Sequence, residues 1–94
     1  MHFDERQVAS GYPIVRQGSR GVYVCIAQDV LNTLGYDTGG LDGVFGVRTN
    51  SSVISFQNKN GLTADGIIGT NTWNSLMSQV VGIGASGTTV LPTM

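Results

Sequence analysis

Charge is scarce in this chain of 94 residues: charged side chains make up 12% of it, and the formal balance is −1. Its few cationic residues are scattered from Arg6 to Lys59, so they build no basic patch. The electrostatic footprint of a nucleic-acid binder is therefore missing. The same scarcity argues against attachment to an anionic membrane by charge. No apolar run is long enough to span a bilayer. The N-terminal Met1-His2-Phe3-Asp4-Glu5-Arg6 lacks the cationic start and apolar core of a secretion signal, so export is expected to be encoded elsewhere. A single cysteine, Cys25, allows no internal disulfide. A single histidine, His2, cannot assemble a zinc hydrolase centre, which takes three or four converging ligands. Cys25 reads as a semi-buried small hydrophobe and His2 as a solvated tail residue, so a Cys–His nucleophile is not expected.

The carboxylates are Asp4, Glu5, Asp29, Asp37, Asp42 and Asp65. A glycosidase needs two carboxyls facing across a sugar-sized gap, one of them held protonated. Asp42 and Asp65 form the one symmetric pair, but each has a turn to build. Calcium binding would call for an alternating acidic series, which the chain lacks. The expectation is a chain with no catalytic residue, no metal and no cofactor.

Glycine, by contrast, is abundant, with fourteen residues, most of them at turn positions. The organising stretch is Asp42-Gly43-Val44-Phe45-Gly46-Val47-Arg48-Thr49. It recurs as Asp65-Gly66-Ile67-Ile68-Gly69-Thr70-Asn71-Thr72, with Asp, both Gly and Thr coinciding. Asp-Gly marks a tight turn, because Gly accepts φ > 0 and the Asp side chain bonds backbone just downstream. Two apolar residues then tuck inward and the second Gly opens a helix. The Thr falls in the first helical turn, where a hydroxyl can satisfy free backbone groups. The unit is an internal repeat.

Around these units the periodicity predicts three helices. Val24, Ala27, Gln28, Leu31 and Leu34 share a face over about residues 20–34, with Ser19 a candidate N-cap and Gly35 the stop. Thr49, Val53, Phe56 and Gln57 share a face over about 47–60, ended by Asn60-Gly61, with Leu62 packing back on that end. Trp73, Leu76, Met77 and Val80 share a face over about 70–80. Tyr12-Pro13-Ile14-Val15 reads as extended. The predicted fold is all-α: a compact three-helix bundle with two Asp-Gly turn loops. The expected division is a flexible tail at 1–11, a domain at 12–81 and a linker-like tail at 82–94, whose Gly-Ile-Gly-Ala-Ser-Gly composition suits a linker.

These residues carry a resemblance. Tyr12-Pro13-x-Val15-Arg16-x-Gly18-Ser19-x-Gly21 opens it, and Val24-x-x-Ala27-Gln28-x-x-Leu31-x-x-Leu34-Gly35-Tyr36 follows. Both Asp-Gly units, Val53-x-x-Phe56-Gln57, Gly61-Leu62, Trp73 and Leu76 complete it. Residues 12–77 resemble the peptidoglycan-binding domain, the three-helix module appended to many cell-wall lytic enzymes. The chain departs from the family at Ala27, where a larger Leu is usual, and at Val47 and Thr70, where many members have Pro. The resemblance implies a non-catalytic, monomeric anchor on peptidoglycan, extracellular and wall-associated, holding a catalytic domain of the same chain on its polymer. The alternative is a protein–protein docking module, since small bundles also present helical faces to partners.

A peptide–glycan ligand takes a shallow groove with an aromatic or apolar floor and a few orienting polar groups. The candidate binding residues are Arg48, Tyr36, Phe45, Asn50, Gln57, Asn71 and Tyr12, placed between the Asp-Gly loops and the second helix. Arg48 reads equally as a partner for stem-peptide carboxylates or as a solvated helix charge. Phe45 reads as core before ligand floor, and Gln57 as a buried group bonding loop backbone before ligand contact. Tyr36, just past a helix stop, is the exposed aromatic.

Overall fold

The computed structural model describes residues 11–87. Three helices are present among them: α1 (Val22–Thr33), α2 (Val47–Lys59) and α3 (Thr70–Gly87). The all-α bundle expected from the periodicity is the fold observed, and α1 packs against both other helices. Their inward faces meet in one core of Val24, Ala27, Leu31, Val53, Phe56, Trp73 and Leu76, joined by Phe45 and Ile68 from the Asp-Gly units. Burying each large apolar side chain contributes roughly 1.5–3 kcal/mol, and this drives assembly. Ala27 is fully buried, and its neighbour Ile26 packs on the core from the side.

The helix ends follow from local chemistry. Gly35 adopts φ +96, the left-handed conformation that glycine takes without steric cost, and lets Gly35 N bond Asn32 O and Tyr36 N bond Leu31 O. Gly61 repeats the device after α2, with Gly61 N on Asn58 O and Leu62 N on Gln57 O. In both cases the reversal throws the next residue, Tyr36 or Leu62, back against the core.

The extended Tyr12–Val15 segment laces the two Asp-Gly units together. Val15 exchanges both backbone hydrogen bonds with Ile68, at 3.2 and 2.9 Å. A few residues on, Gly18 N bonds Phe45 O, Phe45 N bonds Ser19 O, and Gly21 N bonds Gly43 O. The Trp73 indole N–H donates to Pro13 O at 2.8 Å, fastening α3 to the same segment.

Three expectations need correction. Ser19 is not a helix cap. Its hydroxyl accepts from Arg16 N at 3.0 Å, while Gly21, at φ +121, precedes α1 with no side-chain cap. After Ser19 the chain first pairs Arg20 with Val44, so the helix starts only at Val22. The hydroxyls of Thr49 and Thr72 do not cap their own helices either. They accept hydrogen bonds from buried glutamines. Finally, α3 continues past residue 80 to Gly87, so residues 82–87 of the stretch expected as linker are helical. Glycine weakens a helix but does not block one, and no proline lies between Thr70 and Pro92. The remainder of that tail, and residues 1–10, lie outside the described residues.

Candidate functional site

The two Asp-Gly turns are built alike. Gly43 (φ +71) and Gly66 (φ +76) take the left-handed turn position. Asp42 Oδ1 accepts from Val44 N at 3.0 Å, and Asp65 Oδ1 from Ile67 N at 2.9 Å. Each turn is then gripped by one buried glutamine from the preceding helix. Gln28 accepts from Gly43 N and donates toward Asp42 Oδ1, Val44 O and Thr49 Oγ1, all within 3.1 Å. Gln57 repeats the pattern on Gly66 N, Asp65 Oδ1, Ile67 O and Thr72 Oγ1, all within 3.2 Å. An amide presents one acceptor and two donor hydrogens in one plane, so it can bridge turn, loop carbonyl and following helix at once. The Val44 N–H, with help from Gln28, holds Asp42 below its ordinary pKa. It is therefore a committed anion, the wrong state for a proton-donating acid.

A shallow groove of about 380 Å3 opens between the end of α1 and the outer face of α2. It is lined by Gly35, Tyr36, Asp37, Arg48 and Ser51, Ser52 and Ser55. Tyr36 reaches it through the Gly35 reversal, and its ring stands edge-on to Phe56 at 5.5 Å. Arg48, in the first turn of α2, donates from Nη2 to Asp37 Oδ2 at 2.7 Å. The other Asp37 oxygen, Oδ1, accepts from Gly39 N at 2.8 Å, and the Asp37 carbonyl accepts from the Ser52 hydroxyl. The Gly39 N–H and then the Arg48 guanidinium hold Asp37 below its ordinary pKa.

Of the seven candidate binding residues, this groove gathers Tyr36 and Arg48. Phe45 is 1% exposed and sits in the core, out of reach of any ligand. Gln57 is equally buried and is committed to the second turn, the alternative weighed for it above. Asn50 is half-buried, its amide oxygen pressed against Gly66 so that a Cβ there would meet it at 2.2 Å. Tyr12 packs edge-on to Trp73 (4.8 Å) and Tyr23 (5.3 Å). Asn71 is exposed on a separate, smaller groove with Leu62, Thr63 and Asp65. The residues that pattern reading missed are Asp37 and the three serines of α2. An Asp-x-Gly tripeptide, Asp37-Thr38-Gly39, signalled a side-chain-closed turn there, but nothing local signalled that Arg48 would reach it.

Comparison with known proteins adds a family. The profile described as "Putative peptidoglycan binding domain" matches residues 20–76. An N-acetylmuramoyl-L-alanine amidase of Mycobacterium tuberculosis is 45% identical over 53 residues, covering 56% of this chain and 13% of the amidase. A spore cortex-lytic enzyme of Bacillus cereus is 38% identical over 64 residues, 68% of this chain and 25% of that enzyme. The chain thus spans a quarter or less of either relative. Among solved structures, the N-terminal domain of SleB superposes with a TM-score of 0.69 at 36% identity, covering 71% of this chain and 92% of that domain.

Proposed function

Because the chain belongs to the peptidoglycan-binding domain family, a binding module met in larger cell-wall hydrolases, we propose that it anchors a lytic or wall-remodelling enzyme on peptidoglycan through the groove of Tyr36 and Arg48. The observation that carries the groove is the meeting of an exposed guanidinium, a half-buried aromatic ring and a row of hydroxyls on one open surface. That is the composition a peptide–glycan polymer would use: a flat ring for packing, a cation for stem-peptide carboxylates, and hydroxyls for orientation. The enzyme is held in the same chain, and the site of action is the cell wall. Tethering raises the local concentration of the linked catalyst, so a weak, shallow contact is sufficient.

The test is sedimentation with insoluble peptidoglycan. The domain is expected to pellet with the wall and to release neither reducing sugar nor free amine. Arg48→Ala should lower retention with little change in melting temperature, since an exposed ion pair contributes about 0–1 kcal/mol to stability. Added salt should weaken retention in the same direction. Failure of the parent domain to pellet would defeat the anchoring reading. Full retention of Arg48→Ala would move the site away from this groove.

A further inference from the structure

The groove holds two opposite charges side by side at its open face, and the fold fixes them there. The Arg48–Asp37 pair is 67% and 69% exposed, so it does little for stability. Even so, its surroundings are tightly built. The Asp37 carboxylate is pinned by Gly39 N and its carbonyl by Ser52. Thr38, buried beneath, bonds Asn32 Oδ1 through both its N–H and its hydroxyl, at 2.9 and 3.3 Å. Gly39 adopts φ +89, and a Cβ there would meet Arg48 Cδ at 3.0 Å. The arginine stem therefore lies across a bare backbone, which sets the position of its guanidinium.

A pair displayed in this way selects by charge pattern. A lone anion attracted to Arg48 is repelled by Asp37, and a lone cation attracted to Asp37 is repelled by Arg48. A group with both charges on neighbouring atoms satisfies both. Arginine presents five N–H donors, and one is engaged by Asp37 here. We propose that Arg48 and Asp37 form a seat for the zwitterionic head of an amino acid, a free ammonium and a free carboxylate on one carbon, displayed by a peptidoglycan stem peptide. This rests on the groove reading above. The head's carboxylate accepts from the remaining Arg48 N–H groups while its ammonium donates to the Asp37 carboxylate. A stem peptide containing diaminopimelate carries such a head at the end of its diamino-acid side chain. One containing lysine carries the ammonium alone and leaves Arg48 without a partner.

The experiment uses the 94-residue chain with two soluble muramyl tripeptides, one with meso-diaminopimelate and one with L-lysine, by calorimetric titration. Sedimentation with the two corresponding insoluble walls runs in parallel. Losing one charge-assisted contact predicts about tenfold weaker binding of the lysine form. Asp37→Asn keeps the Gly39 hydrogen bond, because an amide oxygen still accepts, and should weaken both ligands alike by removing the partner of the ammonium, whereas Arg48→Ala removes the partner of the carboxylate and should bring the two ligands within about twofold. Arg48→Lys keeps the charge but loses the planar fork, so it should recover only part of what Arg48→Ala loses. Equal binding of both tripeptides by the parent, with retention on both walls, would overturn the zwitterion seat and leave the anchor standing. An unchanged preference in Arg48→Ala, or unchanged affinity for both tripeptides in Asp37→Asn, would also overturn it. Absence of retention on either wall would instead defeat the anchoring reading.

Discussion

Replacing Gln57 by leucine tests whether the twin glutamine grip holds the domain together. The change keeps an apolar-compatible volume but removes one acceptor and two donor hydrogens. Asp65 is exposed, so its carboxylate recovers water. The Gly66 N–H sits on a buried residue and the Ile67 carbonyl on a half-buried one, and both lose their partner. At about 1–3 kcal/mol for each buried group left unpaired, the loss comes to about 2–6 kcal/mol. A domain of this size is stable by about 4–11 kcal/mol, so the variant should sit near the edge of folding. Gln28→Leu strips the equivalent turn, but there Gly43 is half-buried and Val44 is 40% exposed, so water can replace the amide. The expected loss is about 1–2 kcal/mol. Equilibrium urea unfolding followed by Trp73 fluorescence gives both numbers. A Gln28→Leu loss as large as that of Gln57→Leu would refute the burial argument, and a Gln57→Leu loss below about 0.5 kcal/mol would refute the grip itself. Gln57→Glu adds a pH signature. Its carboxyl would face Asp65 Oδ1 and Ile67 O, raising its folded pKa, so stability should be regained as pH falls through that value and lost as pH rises.

Gly66→Ala should cost more than Gly61→Ala. Both force a side chain into the left-handed region, at about 1–2 kcal/mol, but only Gly66 also drives a Cβ into Asn50. Asn50→Ala in the Gly66→Ala background should recover the difference in thermal melts, and no recovery would refute the contact. Trp73→Ala should cost about 3–5 kcal/mol, since the ring is wholly buried and its N–H is bonded to Pro13 O, and a red, water-like emission of the parent would contradict this. Asp37 should titrate below its ordinary value of 3.8 when its carboxyl is followed by NMR. Its contribution to stability is complete above that value and disappears as pH falls through the lowered one. Arg48→Ala should return the midpoint only part of the way, because the Gly39 N–H is the larger cause; a full return would reverse that order.

Parts of the site were legible before any coordinates. Tyr36 follows a Gly stop, so its place beyond α1 could be read, and Arg48 falls in the first turn of a periodic helix. Gln28 and Gln57 stood on apolar faces, a signal that each was buried, and for Gln57 loop bonding was the reading preferred. What each amide would hold was not legible. Gln28 reaches Thr49, 21 residues away, and Gln57 reaches Thr72, 15 away, and this contact redirected both threonines from capping. Nor did any local rule place Asp37 under Arg48, or separate Asn71 and Tyr12 into other surroundings.

The sequence by itself determined the three helices, the glycine stops of the first two, the two Asp-Gly turns and the inward faces. Each of these depends on residues within a few positions of one another: a period of three to four, a left-handed glycine, an Asx side chain within reach of its own backbone. The tertiary structure decided which polar side chains became internal braces and which stayed on the surface. That choice depends on how closely distant segments approach once the core has closed. Phe45 and Gln57 were drawn inside because the Asp-Gly units fold back onto the bundle. Arg48 stayed out because the 37–40 loop supplies its partner at the rim.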